Sequence, residues 1–110
     1  MNVKSTKSGN AVVISVEGRM DAASTPEFER ACAEWIQQGE KKLVIDLAGL
    51  QFISSAGLRG VLTAGKKLKD GGGGLSLCGL SGVVKQVFEI SGFATLFPVF
   101  DSREAALKAT

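Results

Sequence analysis

The sequence holds no histidine and no tyrosine, and only two cysteines, two prolines and one tryptophan among its 110 residues. Without histidine there is no imidazole triad, no histidine metal ligand and no phosphohistidine relay; without tyrosine there is no phenolic nucleophile. Cys32 and Cys78 stand far apart, each inside an apolar pattern and neither at a zinc-ligand spacing. They read as small buried hydrophobes in a reducing compartment. No apolar run reaches membrane length: the longest are strand-sized, such as Ala11-Val12-Val13-Ile14, and Met1-Asn2-Val3-Lys4 lacks the apolar region of a signal peptide. A cytoplasmic protein without membrane insertion is expected. Charge of one sign is scarce too. Thirteen basic against eleven acidic residues leave +2, too slight a bias to suggest nucleic acid as a partner.

What remains is 45% hydrophobic and 22% charged, enough apolar material for one core, so residues 1–110 are expected to form a single domain. Residues 2 to 7 alternate weakly, Ser8-Gly9-Asn10 supplies turn chemistry, and Ala11 to Val16 is rich in Val and Ile, which together predict a hairpin ended by Gly18. Ser24-Thr25-Pro26-Glu27 starts a helix with a hydroxyl cap, a proline in the first turn and an early acid. Phe28, Ala31, Cys32, Trp35 and Ile36 then share one face, and Gly39 stops it. Lys41 to Leu47 reads as the central strand, because Leu43-Val44-Ile45 is continuously apolar, as in a strand covered on both sides. A short loop leads to an amphipathic helix carrying Leu58, Val61, Leu62, Gly65 and Leu68 inside and Arg59, Lys66, Lys67 and Lys69 outside. Leu75 to Cys78 is a short strand, Val83 to Ile90 a third helix, Phe97-Pro98-Val99-Phe100 an edge strand, and Asp101 with Glu104 opens a last helix to Lys108. The order β-β-α-β-α-β-α-β-α places the chain in the α/β class: a mixed sheet of four to five strands with about four helices and an initial hairpin.

The segment Asp46-Leu47-Ala48-Gly49-Leu50-Gln51-Phe52-Ile53-Ser54-Ser55-Ala56-Gly57-Leu58-Arg59 runs from a buried strand into a helix whose first turn holds two hydroxyls and a glycine. Free N–H groups there would receive an anion, and Gly57 leaves them unscreened. A phosphate on a serine at that place gains charge-assisted hydrogen bonds and a favourable dipole. The plainer reading is an ordinary serine cap, and these residues alone leave both open.

Asp46 to Leu58 resembles the signature of the STAS domain, shared by sulfate transporters and anti-sigma factor antagonists, in the form Ile-Ser-Ser-Ala-Gly-Leu. Gly18-Arg19-Met20-Asp21 matches the family's Gly-Glu-Leu-Asp, Val84 to Phe88 with Ile90-Ser91-Gly92 matches a later helix and its stop, and Phe100 with Glu104-Ala105-Ala106 matches the end, so the resemblance covers essentially the whole chain. It implies that the phosphoacceptor falls on Ser55, with Ser54 as the alternative, since Ser54 stands where many members have Asp and Ala56 where they have a second hydroxyl. It implies that Asp21 lies beside the serine and orients its hydroxyl, against the alternative of a turn aspartate that starts the first helix. The implied partners are an anti-sigma factor that is itself a serine kinase, bound while the serine is unmodified and released on phosphorylation, and a metal-dependent serine phosphatase that reverses the step. The docking surface would include Asp21, Ser24, Thr25, Ser54, Ala56, Gly57 and Arg59. The chain would be no enzyme, hold no catalytic residue, cofactor or metal of its own, and be monomeric when free. Alternatives are a STAS subunit of a lipid-type transporter or other assembly, and a small enzyme or ligand carrier.

Three signals point elsewhere and are weak. Gly60 to Lys67 is a near miss to a phosphate-binding P-loop, but Lys67 stands where the Mg²⁺-binding hydroxyl belongs and the segment lies within a helical pattern. Gly71 to Gly74 reads as a flexible connection, and Lys66, Lys67 and Lys69 as a solvated helix face.

Overall fold

In the computed structural model, which describes all 110 residues, the chain begins with the predicted hairpin: β1 (Asn2–Ser8) pairs antiparallel with β2 (Ala11–Met20) around Gly9, whose φ is +63°. The remaining elements are α1 (Thr25–Gln37), β3 (Lys42–Asp46), β4 (Leu50–Ile53), α2 (Ser55–Asp70), β5 (Gly74–Cys78), α3 (Gly82–Ile90), α4 (Phe93–Leu96), β6 (Val99–Phe100) and α5 (Arg103–Lys108). The sheet runs β1, β2, β3, β5, β6, and every pairing after the hairpin is parallel.

Two elements were not expected. Strand β4 occupies what reads in sequence as a loop, and pairs with the far end of β2, so that Gly18, Arg19 and Met20 face Leu50, Phe52 and Ile53. Gly18 therefore does not end β2; it sits at a bulge with φ +92° and donates to the Gly49 carbonyl at 3.0 Å. Helix α4 is a single turn following Gly92, which takes the left-handed conformation at φ +81°. The last helix is capped by Ser102, whose hydroxyl accepts from the Ala105 N–H at 3.1 Å, rather than by Asp101.

The continuous apolar runs have a direct cause. Val12, Ile14 and Val16 of β2, with Leu43 and Ile45 of β3 and Leu75 and Leu77 of β5, face Phe28 and Cys32 of α1, Val61, Ala64 and Leu68 of α2, and Val84 and Phe88 of α3. On the opposite face Val13, Val44 and Cys78 meet Ala106 of α5. The central strands are thus covered on both sides. Fully burying side chains such as Phe28 and Phe88 contributes about 1.5–3 kcal/mol each. Trp35 packs only partly against this core. Desolvation pushes the Cys32 thiol up to about 12 and the Cys78 thiol up to about 11, so neither ionises near neutral pH.

Glycines set the helix ends and contacts. The stretch after α2 is a defined helix stop, not a flexible connection: Gly72 is left-handed at φ +85°, the Gly73 N–H reaches the Leu68 carbonyl at 2.7 Å, and the Gly72 N–H reaches that of Lys69 at 3.0 Å. Gly73 then passes so close to Lys41 that a Cβ would lie 2.0 Å from the Lys41 carbonyl oxygen. Gly60 and Gly65, part of the P-loop near miss, lie inside α2 and let Thr25 and the Phe97 ring against it.

Gly73→Ala is expected to lower unfolding free energy by about 1–3 kcal/mol in urea melts through this clash. Gly74→Ala, where nothing lies within 4 Å, should change it by less than about 0.5 kcal/mol.

Candidate functional site

Strands β2 and β4 run parallel and diverge at their carboxyl ends, β2 into α1 and β4 into α2, which is where open parallel sheets form crevices. One hydrogen bond joins the two exits: the Ser54 N–H donates to the Met20 carbonyl at 2.9 Å. It brings Asp21, the residue after Met20, next to the serine pair.

The two serines differ in what they do. Ser54 is the N-cap of α2, with extended backbone, half-buried, and its hydroxyl accepts from the Gly57 N–H at 3.3 Å. Ser55 is the first residue of the helix and is exposed. Its hydroxyl makes no hydrogen bond within the chain. The helix offers no acceptor to the Ser55 and Ala56 N–H groups, and no acidic residue lies in the first turn.

Gly57 has a different task from the one expected of it. It is buried, its N–H is taken by the Ser54 cap, and a Cβ there would meet Ile53 Cγ1 at 2.7 Å and the Met20 carbonyl oxygen at 3.0 Å. Glycine is needed so that the start of α2 can lie against the ends of β2 and β4. It therefore belongs under the surface and not on it.

Asp21 forms a turn. One carboxylate oxygen accepts from the Ala23 N–H at 3.1 Å and the Ser24 N–H at 3.0 Å. The Ser24 hydroxyl accepts from the Asp21 N–H at 3.0 Å and has its single proton between the Arg19 carbonyl, at 2.9 Å, and the Asp21 carboxylate, at 3.1 Å. The expected hydroxyl cap on α1 is absent: Ser24 occupies the cap position without bonding the helix, and Asp21 organises the entry instead. Thr25 is 3% exposed and donates to the Asp21 carbonyl at 2.6 Å, so it cannot present its side chain to a partner. Of the expected docking residues, Asp21, Ser24, Ser54 and Ala56 are half-buried and Arg59 is exposed, as is the expected phosphoacceptor Ser55. The hydrogen bonds from Ser24 and Ala23 hold the Asp21 carboxyl below its ordinary value of 3.8, with burial opposing them.

Two neighbours were missed from the sequence. Arg19 and Phe52 face each other across the β2–β4 pairing, the guanidinium 4.2 Å from the ring centroid. In the sequence Arg19 stands out only as part of the Gly18 to Asp21 motif, and its pairing with Phe52 depends on the unexpected strand β4. By contrast Asp46, at the head of the segment that holds Phe52, takes both Arg103 Nε (3.1 Å) and Nη2 (2.9 Å), tying β3 to α5.

A match to the STAS domain extends over residues 2–106. The chain belongs to the STAS family. It is 41% identical over 109 residues to BtrV of Bordetella bronchiseptica, provisionally named an anti-sigma factor antagonist, a match covering 99% of this chain and 94% of that protein. Its fold is that of an anti-sigma factor antagonist from Mycobacterium paratuberculosis, with a TM-score of 0.90 at 24% identity over 98% of this chain and 92% of the other. The Bacillus cell-fate determinant SpoIIAA in its phosphorylated form matches with a TM-score of 0.78 at 22% identity, over 99% of this chain and all of that one. No helix of this STAS protein is long and apolar enough to cross a membrane.

Two measurements check this geometry. Ser54→Ala should cost about 1 kcal/mol of stability by loss of the cap, whereas Ser55→Ala should stay within about 0.5 kcal/mol of the parent in the same denaturant melts. In an NMR titration the Asp21 carboxyl should have its midpoint below 3.8, with the Ala23 and Ser24 amides moving in step. Because the folded value is depressed, the stabilisation it brings is present above the unfolded value and is lost as pH falls through the folded one.

Proposed function

We propose that this STAS protein is an anti-sigma factor antagonist whose binding is switched off by phosphorylation of Ser55. The observation that carries the reading is the contrast between adjacent hydroxyls: Ser54 is committed to the cap, while Ser55 stands exposed at the first helical position beside unsatisfied N–H groups. The name of BtrV supports the class of partner, and the phosphorylated form of SpoIIAA supports phosphate as a modification compatible with this fold.

In this reading the unmodified surface of Ser55, Ala56, Arg59 and the Asp21 turn docks on an anti-sigma factor that is also a serine kinase. The kinase moves the γ-phosphoryl group of ATP to the Ser55 oxygen. The hydroxyl proton passes to a base of the kinase, and ADP leaves. The catalytic groups, nucleotide and metal are the partner's; this chain supplies the hydroxyl, presented on the first turn of α2. The product carries about −1.5 to −2 charge. At the start of α2 that charge meets free N–H groups, so the fold tolerates it. In a closed interface it must instead be desolvated, next to the Asp21 carboxylate, and binding weakens. A serine phosphatase restores the hydroxyl by hydrolysis.

Incubation with candidate serine kinases of the same genome and ATP, followed by mass spectrometry, should place phosphate on Ser55 and still do so in Ser54→Ala. In a pull-down with ATP, Ser55→Ala should stay bound to the kinase and Ser55→Asp should bind weakly. Label on Ser54 alone, or equal affinity of the two Ser55 variants, would sink the reading.

A further inference from the structure

A cavity of about 290 Å³ lies away from Ser55. It lies where β3 and β5 begin, while the serine sits beyond the ends of β2 and β4. Ser76 pairs with Val44 across the parallel ladder and so stands on the sheet face that carries α5. Helix α5 is only six residues long and leaves part of this face unroofed; Thr110, which follows it, borders the opening.

Three features of the lining converge. Pro98 and Phe100 supply apolar surface. Lys41 and Lys42 are among the lining residues and none of these is acidic; the Lys41 ammonium donates to the Gly71 carbonyl at 2.6 Å, whereas Lys42 is in neither of the chain's two ion pairs. Ser76, 7% exposed, carries the one buried side-chain oxygen or nitrogen in the molecule without a hydrogen-bond partner. Buried hydroxyls are normally satisfied, so an orphan in a cavity wall signals a missing partner. A volume near 290 Å³ is at the small end of ligand sites, which run from roughly 300 to 1,000 Å³ and combine apolar walls with a few polar groups.

We propose that this cavity binds a small monocarboxylate with an apolar body. The body lies against Pro98 and Phe100, and the carboxylate takes the Lys42 ammonium. Rotation about the Ser76 Cα–Cβ bond to another staggered position brings the orphan hydroxyl to the same carboxylate. The site is independent of the Ser55 switch: binding here leaves the start of α2 untouched.

Titration of the full chain by amide NMR, with octanoate and decanoate as probes and decanol as the uncharged control, tests this. Saturable shifts are expected at residues 41–43, 73–76, 99–100 and 110, with Ser54 to Arg59 unmoved, and decanol should bind about tenfold more weakly. Lys42→Gln and Ser76→Ala should each weaken decanoate by about the same factor. Absence of saturation, shifts centred elsewhere, or equal binding of decanoate and decanol would overturn the proposal, and so would unchanged affinity in both variants. The wild-type comparison of acid with alcohol decides the matter even if Ser76→Ala fails to fold.

Discussion

Strand β2 has one free hydrogen-bonding edge and two strands to place on it. Its opposite edge is taken by β1 along the whole hairpin. The free edge is divided: Val12 to Ser15 pair with β3, and Gly18 to Met20 pair with β4. The bulge at Gly18 marks the change of partner. Everything at the candidate site follows from this division. It sets β4 beside the end of β2, and the Ser54–Met20 hydrogen bond then ties the start of α2 to the entry of α1. Two helix starts that are distant in sequence become one surface.

Much of this fold is legible in the residues. Val12 to Ile14 and Leu43 to Ile45 are apolar at every position because helices cover both faces, and the one-sided stripes of α1 and α2 mark which side each helix buries. Strand β4 is hidden because four residues are too few to show a period, and because its pairing with β2 depends on a bulge that a lone glycine does not announce. Helix α4, a single turn, is hidden for the same reason of length. The cap of α1 misleads for a different reason. Ser24 and Thr25 are good capping residues by type, but the Ser24 hydroxyl is drawn into the turn by the Asp21 N–H and carboxylate and by the Arg19 carbonyl.

At the serines the motif marks the candidate site and puts Ser55 before Ser54, without showing what separates them. The two hydroxyls are chemically the same and one residue apart. A single step at a helix start changes a residue from the extended cap position to the first helical one, and with it the direction of the side chain. Ser54 is turned toward Gly57; Ser55 is left in solvent. Gly57 shows the same limit. Its place in the motif suggests openness to an anion, whereas Ile53 and the Met20 carbonyl, neither of them next to it in the chain, explain why no side chain fits.

The two outer strands carry a consequence for how anything can attach to this molecule. On one side β1 is seven residues long but polar, with Lys4 and Lys7 along it and Lys7 held by Glu40 at 2.7 Å. On the other, β6 is only two residues, entered from Pro98. Charged or very short outer strands are poor templates for an added strand. Recognition by extending the sheet is thereby discouraged at both margins. What the margins leave to a visiting protein is side chains on loops and helix starts.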